Sequence, residues 1–193
     1  MSLNDESKAA DDGRLIAGVR DNPSAFVRLY RRHYDAVFRY CVHRLFDRYT
    51  AEDIAAEVFL KVVENLDRFR GNEQQFRNWL YKIATNAVND HLRRTARRGS
   101  LLKGACRRIG NRVSKCKDPE LQSVEKLVLL REAVLSLKPR YQTIITLHFF
   151  ENLKLIEIAE VLNSSPGTVR SQLRRALAKL RKVLAIELTE NQR

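Results

Sequence analysis

The stretch "NSSPGTVRSQLRRALAKLRK", Asn163–Lys182, carries Arg170, Arg174, Arg175, Lys179, Arg181 and Lys182 without a single acid. On a helix, like charges four residues apart repel and opposite ones attract, so a helix that meets only solvent usually mixes its signs. A helix of one sign calls for an anionic partner. Its start is equally marked: Ser165 is a capping residue type and Pro166 suits the first helical position. The free N–H groups of such a terminus suit phosphate.

Upstream, "LIEIAEVLN" is a short amphipathic segment, and together the two pieces fit a helix-turn-helix. Ala159 supplies the small residue where the helices cross, and Asn163 tolerates the left-handed backbone that the turn requires. Ile158, Leu162, Val169 and Leu173 fall where the inner faces meet, which leaves Arg170, Ser171, Gln172, Arg174 and Arg175 on or beside the outer face. Arginine pairs with guanine and glutamine with adenine in the major groove, so this pattern predicts duplex DNA as the partner. A membrane surface is a poorer fit, because no aromatic side chain anchors the apolar side of the helix.

The rest of the 193-residue chain supports the same direction. Its net charge of +13 asks for an anionic partner. No apolar run approaches the roughly 18 residues of a membrane span, and the polar, acidic start "MSLNDESKAADDGR" lacks the blocks of a signal peptide. A cytoplasmic protein without membrane insertion is expected. Cys41, Cys106 and Cys116 show no CxxC spacing, so no disulfide framework or metal site is signalled, and Cys41 reads as a core residue.

Helical periodicity dominates the chain. After a possible short helix over Asp12–Arg20, a long one is expected over residues 23–46, starting at Asn22-Pro23. A second begins with a capping-box pattern at Thr50 and Asp53, carries Ile54, Val58, Val62 and Leu66 along one face with Phe59 widening the stripe, and ends near Asp67. "FRGNEQQF" reads as a polar loop, and a third helix is expected from about Asn78. Between Arg93 and Lys117 lie ten basic residues, three glycines and no acid, which reads as a flexible linker. Periodicity resumes near Ser123 and predicts four short helices. The expected fold class is all-α: segment 1–22, a module over 23–95, a linker over 96–122, a second module over 123–187 and a tail over 188–193.

The first module holds a second signal. "FRGNEQQFRNWLYKIATNAVNDHLRR" interleaves aromatic residues with Lys82, Asn86, Arg93 and Arg94, a composition suited to single-stranded DNA, where bases stack and phosphates pair. Trp79 and Tyr81 as ordinary core and rim aromatics explain the same spacing.

Taken over nearly its whole length, the chain resembles the extracytoplasmic-function (ECF) class of bacterial RNA polymerase sigma factors. "AFVRLYRRHYDAVFRYC" and "AEDIAAEVFLKVVENLDRFRG" resemble the first and the clamp-binding helices of their region 2, "FRNWLYKIATNAVNDHLRR" the segment that melts and reads the minus-ten element, and "LSLKPRYQTIITLHFFENLKLIEIAEVLNSSPGTVRSQLRRAL" their region 4. The resemblance implies core RNA polymerase as a partner, through the coiled coil of the β′ clamp and the β flap. It implies promoter DNA, duplex and melted, and admits an anti-sigma factor. It places Glu52, Asp53, Glu57 and Phe59 at the clamp. It places Gly71, Asn72, Glu73, Gln74, Gln75 and Phe76 in a base-capturing loop, with Trp79, Asn86 and Asp90 in the helix behind. Ser165, Thr168, Arg170, Ser171, Arg174 and Arg175 fall at the minus-thirty-five helix. Ala56 and Val63 replace the glutamine and tryptophan frequent on clamp helices.

No nucleophile constellation or paired carboxylates stand at catalytic spacing, so no catalytic residue, cofactor or metal is expected. Two other readings fit parts of the chain: a stand-alone helix-turn-helix regulator, which leaves the first module without a task, and a basic nucleoid protein that binds by charge alone.

Overall fold

The computed structural model describes residues 23–102 and 119–190. The expected short helix over Asp12–Arg20, most of the basic linker with Cys106 and Cys116, and residues 191–193 lie outside the described residues.

Three helices build the first module: α1 (Pro23–Leu45), α2 (Arg48–Leu66) and α3 (Glu73–Leu102). Pro23 opens α1, where its missing N–H costs nothing. Phe46 ends that helix in the left-handed region at φ 53°, and its N–H donates to the Val42 carbonyl. The next helix starts earlier than Thr50. Asp47 is its cap and accepts from the Thr50 N–H at 3.3 Å and from the Thr50 hydroxyl, so Thr50 lies within the first turn. The core of the module joins Leu29, Val37, Tyr40, Cys41, Ile54, Val58, Phe59, Val62, Phe76, Leu80 and Val88, each buried. Fully burying side chains of this size contributes roughly 1.5–3 kcal/mol apiece. Ala51, Ala55, Ala84 and Ala87 are also fully buried and let the helices approach closely. Burial pushes the Cys41 thiol up to about 12, which keeps it protonated and inert, as expected of a core cysteine.

His33 sits against Phe76, ring centroids 5.4 Å apart. Burial, with help from Arg32, lowers its pKa from 6.5 to about 4. A histidine held neutral in the fold binds fewer protons than it does in the unfolded chain. Stability from this site is therefore complete above pH 6.5 and is lost as pH falls from 6.5 toward about 4. The gap corresponds to roughly 3 kcal/mol. Urea unfolding at pH 7 and at pH 4.5 should show this loss, with His33→Gln reducing it. A variant with the parental pH slope would exclude His33 as the source.

The second module comprises α4 (Pro119–Ser136), α5 (Pro139–Ile145), a π turn (Thr146–Phe150), α6 (Leu155–Val161) and α7 (Pro166–Glu190). Its first helix begins before Ser123, and its last spans 25 residues, so the expectation of four short helices is corrected at both ends. Val134, Leu137, Tyr141, Ile144, Leu147, Leu153, Ile158, Val161, Val169, Leu173 and Ala176 are buried in its core. Besides being joined through the linker, the two modules touch directly. Arg44 in α1 is 1% exposed and donates to Gln142 Oε1 of α5 at 2.7 Å and to Asn89 Oδ1 of α3 at 3.0 Å.

Candidate nucleic-acid interface

The helix-turn-helix closes as the sequence predicts. Asn163 takes φ 49°, its N–H donates to the Glu160 carbonyl, and the Ser164 N–H donates to the Ala159 carbonyl at 2.8 Å. That pair of bonds is a Schellman cap, which satisfies carbonyls otherwise orphaned at the end of α6. Ala159 is buried at the crossing, with Ile158, Val169 and Leu173 beneath it and Leu162 half-buried. Ser165 then caps α7: its Oγ accepts from the Thr168 N–H at 3.1 Å and lies 2.8 Å from the Thr168 hydroxyl. Ser171 donates to the Thr168 carbonyl at 2.9 Å. The first turn of α7 is thus fixed by its own hydroxyls. Arg170, Arg174 and Arg175 are exposed beyond it, at spacings that put Arg170 and Arg174 on one face, while Ser171 and Gln172 are half-buried. Arginines on a rigid helix with an open N-terminal turn can reach phosphates and base edges together.

In the first module the base-capturing loop is shorter than the sequence suggests. Only Gly71 and Asn72 precede α3; Glu73, Gln74, Gln75 and Phe76 form its opening turn. The reason is a reciprocal cap. Asn72 Oδ1 accepts from the Gln75 N–H and Gln75 Oε1 accepts from the Asn72 N–H, both at 2.9 Å. This is the capping-box arrangement with amide side chains, and it moves the helix start five residues ahead of Asn78. Phe76 is fully buried and cannot meet a base. Gln74 donates to Asn78 Oδ1 at 3.1 Å. Gly71 is required by the same cap: a Cβ there would stand 2.6 Å from Gln75 Oε1 and 3.0 Å from the Phe69 ring. Gly71→Ala should therefore loosen the cap and lower thermal stability, by about 1 kcal/mol if one cap is lost. An unchanged melting temperature would show that the Gln75 side chain yields freely.

Trp79 is half-buried and packs on Phe69 and Phe76, with ring centroids 5.1 and 5.7 Å away. It lines a groove with Lys61, Glu64, Asn65, Arg68, Arg70 and Asn86, where three cations outnumber one acid. Arg68 and Arg70 are exposed, and sequence reading passed over them because they precede the helix that carries the aromatic signal. Lys82, Asn86, Asp90 and Arg93 continue along an exposed face of α3, and Asp90 pairs with Arg93 at 3.0 Å. Arg94 turns instead toward Glu57 of α2, 3.9 Å away.

The outer face of α2 departs from expectation at one position. Phe59 is buried between the rings of Tyr30 (4.8 Å) and Tyr34 (6.1 Å), so it belongs to the core and not to a contact surface. Its neighbours Leu60 and Val63 are 65% and 51% exposed, and Tyr49 is 81% exposed. With exposed Asp53 and Ala56 and partly exposed Glu52 and Glu57, they make an apolar stripe edged by acids. Glu52 pairs with Arg48 at 3.2 Å and Glu57 with Lys61 at 2.6 Å. No described helix is long and apolar enough to cross a membrane.

A helical bundle with an acid-edged apolar stripe and a basic aromatic groove, coupled to a basic helix-turn-helix, is the build of a transcription factor that works with a partner enzyme on DNA. Residues 29–98 match sigma-70 region 2 and residues 127–180 match sigma-70 region 4. Among curated proteins, the ECF RNA polymerase sigma factor SigW of Bacillus subtilis is 32% identical over 178 residues, covering 89% of this chain and 95% of SigW. BldN of Streptomyces coelicolor, an ECF sigma factor, is 32% identical over 89% of this chain; the match spans 63% of BldN's own length. Two solved structures share the fold: CnrH in complex with the cytosolic domain of CnrY (TM-score 0.67, 23% identity, 91% of this chain and 98% of that one) and the sigma factor RpoE of Bartonella quintana in complex with the anti-sigma factor NepR (TM-score 0.62, 18% identity, 83% and 97%). The chain belongs to the ECF class of RNA polymerase sigma factors, and it acts in transcription initiation with RNA polymerase and promoter DNA.

Proposed function

We propose that the first module docks on the β′ clamp through α2 and melts and reads the minus-ten element with α3, while α7 reads the minus-thirty-five element and the second module meets the β flap. The carrying observation is the outward stripe of Tyr49, Leu60 and Val63, a solvent-exposed apolar face that nothing else in the chain covers among the described residues. Asp53, Glu52 and Glu57 edge it and set its charge, and the clamp contact rests on the stripe, since rim ion pairs contribute little. Trp79 and Asn86, with Arg68, Arg70 and Lys82 beside them, suit stacking and phosphate pairing once bases are exposed. Gly71 and Asn72, with Glu73, Gln74 and Gln75 of the first turn of α3, are in this reading the residues offered to a flipped minus-ten base. In this reading the chain positions DNA and polymerase and performs no chemistry itself. The Bartonella quintana sigma factor of the same fold is bound to an anti-sigma factor, and a protein of that kind is a further partner in this reading.

Run-off transcription with purified core polymerase on genomic fragments tests the reading. Defined start sites that appear only when this chain is added support it. Specific duplex binding without polymerase, and no run-off, would point to a stand-alone regulator.

A further inference from the structure

The outward face of α1 is basic, and it belongs neither to the α2 stripe nor to the Trp79 groove. At 3.6 residues per turn, Arg28, Arg31, Asp35 and Arg39 share one narrow arc, opposite the buried Leu29, Val37, Tyr40 and Cys41. All four are exposed, and half-buried Arg32 borders them. From Arg28 to Arg39 the row runs about 16 Å along the helix.

A mixed face that meets only solvent usually pairs off within itself. On α2 it does, through Arg48 with Glu52 at 3.2 Å and Lys61 with Glu57 at 2.6 Å. On α1 it does not. Asp35 stands four residues from Arg31 and from Arg39, and three from Arg32, the spacings at which such pairs form. It makes no ion pair among the described residues. Arg39 leans instead to Glu151 Oε2 at 3.8 Å, and its side chain is still 55% exposed. The row therefore presents its guanidinium groups outward, with one acid among them.

The position of the row says what it meets. His33 lies against Phe76 in the first turn of α3, ring centroids 5.4 Å apart, and Arg32, Glu73 and Arg77 all act on its charge. Thus α3 opens against the middle of α1, beside Arg32. Gly71 and Asn72 sit between two basic surfaces: Arg68 and Arg70 of the Trp79 groove precede them, and the α1 row lies past Glu73. A line of cations that continues from a base-capturing loop suits a strand of repeating phosphates better than a single acidic side chain.

We propose that the Arg28–Arg31–Arg39 row of α1 holds the phosphates of the melted strand beyond the base-capturing loop, on the side toward the start site. The strand then runs from the Trp79 groove, past Gly71 and Asn72, and onto α1. The inference rests on the reading of that loop and groove as the minus-ten site. Arginine carries the contact well, because its fork of donors matches phosphate oxygens.

The test uses holoenzyme, the full chain assembled with core polymerase, and two labelled single strands from a promoter that run-off defines. One strand ends at the minus-ten element, and the other continues into a short run of thymidines toward the start site. The parent should bind the longer strand more tightly and with a steeper salt dependence. Arg28→Gln with Arg31→Gln should lower the salt slope on the longer strand by about 1.4, two phosphates at about 0.7 each. Binding of the shorter strand, of core polymerase and of closed minus-thirty-five duplex should match the parent. Asp35→Asn removes the one acid of the row and should raise affinity for the longer strand only. Contacts that core polymerase makes to the thymidines are common to all these chains and cancel. A folded double variant with the parental slope on the longer strand overturns the proposal. So does an equal loss on the shorter strand or on closed duplex, which marks a general anion contact, or a loss of core affinity, which marks an acidic protein partner. A parent holoenzyme indifferent to the minus-ten sequence of the shorter strand fails the underlying reading, and the α1 row with it.

Discussion

Phe59→Ala is expected to unfold the first module, whereas Leu60→Arg with Val63→Arg, beginning one position along, is expected to leave it folded and unable to hold core polymerase. Phe59 is 4% exposed and ringed by Tyr30 and Tyr34. Removing a buried phenylalanine costs about 3–5 kcal/mol through lost burial and the cavity left behind. A domain holds only about 5–15 kcal/mol in total, so this one change removes a large share. Leu60 and Val63 already face water, and surface substitutions usually change stability by about 0.5 kcal/mol or less. A charge placed at the centre of an apolar contact should weaken association at least about tenfold, the equivalent of 1.4 kcal/mol. Denaturant midpoints and core-binding titrations on both variants read the two effects separately. Equal core affinity for the parent and a folded Leu60→Arg, Val63→Arg chain would reject this face as the clamp contact, and a Phe59→Ala midpoint near the parent's would contradict the packing.

The second large effect belongs to α7. Arg174→Ala, and in parallel Arg170→Ala, should weaken binding to the upstream element by about 1–3 kcal/mol and relax preference at one base position. Both arginines are exposed on one face and leave the core of the helix-turn-helix untouched, so fold stability should hold. Affinity measured across single-base variants of the element separates two cases. Loss concentrated at one position marks a base contact. Uniform loss across all variants marks a phosphate contact and removes the base-reading role from that residue.

How much of this was legible in the chain depended on the range of the interactions involved. Asn163 and Ser165 were readable because their work is local: one turn and one cap, completed within a few residues. The start of α3 was local too, yet it was placed late, because Asn72 and Gln75 make a capping box from amides where the familiar pattern has a hydroxyl and a carboxylate. Phe59 carried two signals: helical periodicity set it beside the stripe of Ile54, Val58, Val62 and Leu66, whereas the family resemblance set it at the clamp. Its packing against Tyr30 and Tyr34 bears out the periodicity. The contact of Glu151 with Tyr81 and Arg77 of α3 was not legible at all. It joins residues 70 or more apart, and a lone acid after an aromatic pair gives no sign of the tyrosine and arginine it meets.

Helix α3, 30 residues long, makes a rod of about 45 Å and runs on to Leu102, well into the segment expected to be linker. The next described helix begins at Pro119, so 17 peptide units separate the two. Covalent geometry limits them to about 60 Å, whatever path they take. That leash, anchored at the far end of a stiff boom, caps how distant two promoter half-sites can be and still be read by one molecule. Adding residues between Leu102 and Pro119 should therefore extend the longest promoter spacing the chain accepts, by at most about 3.5 Å, or one base pair, per residue.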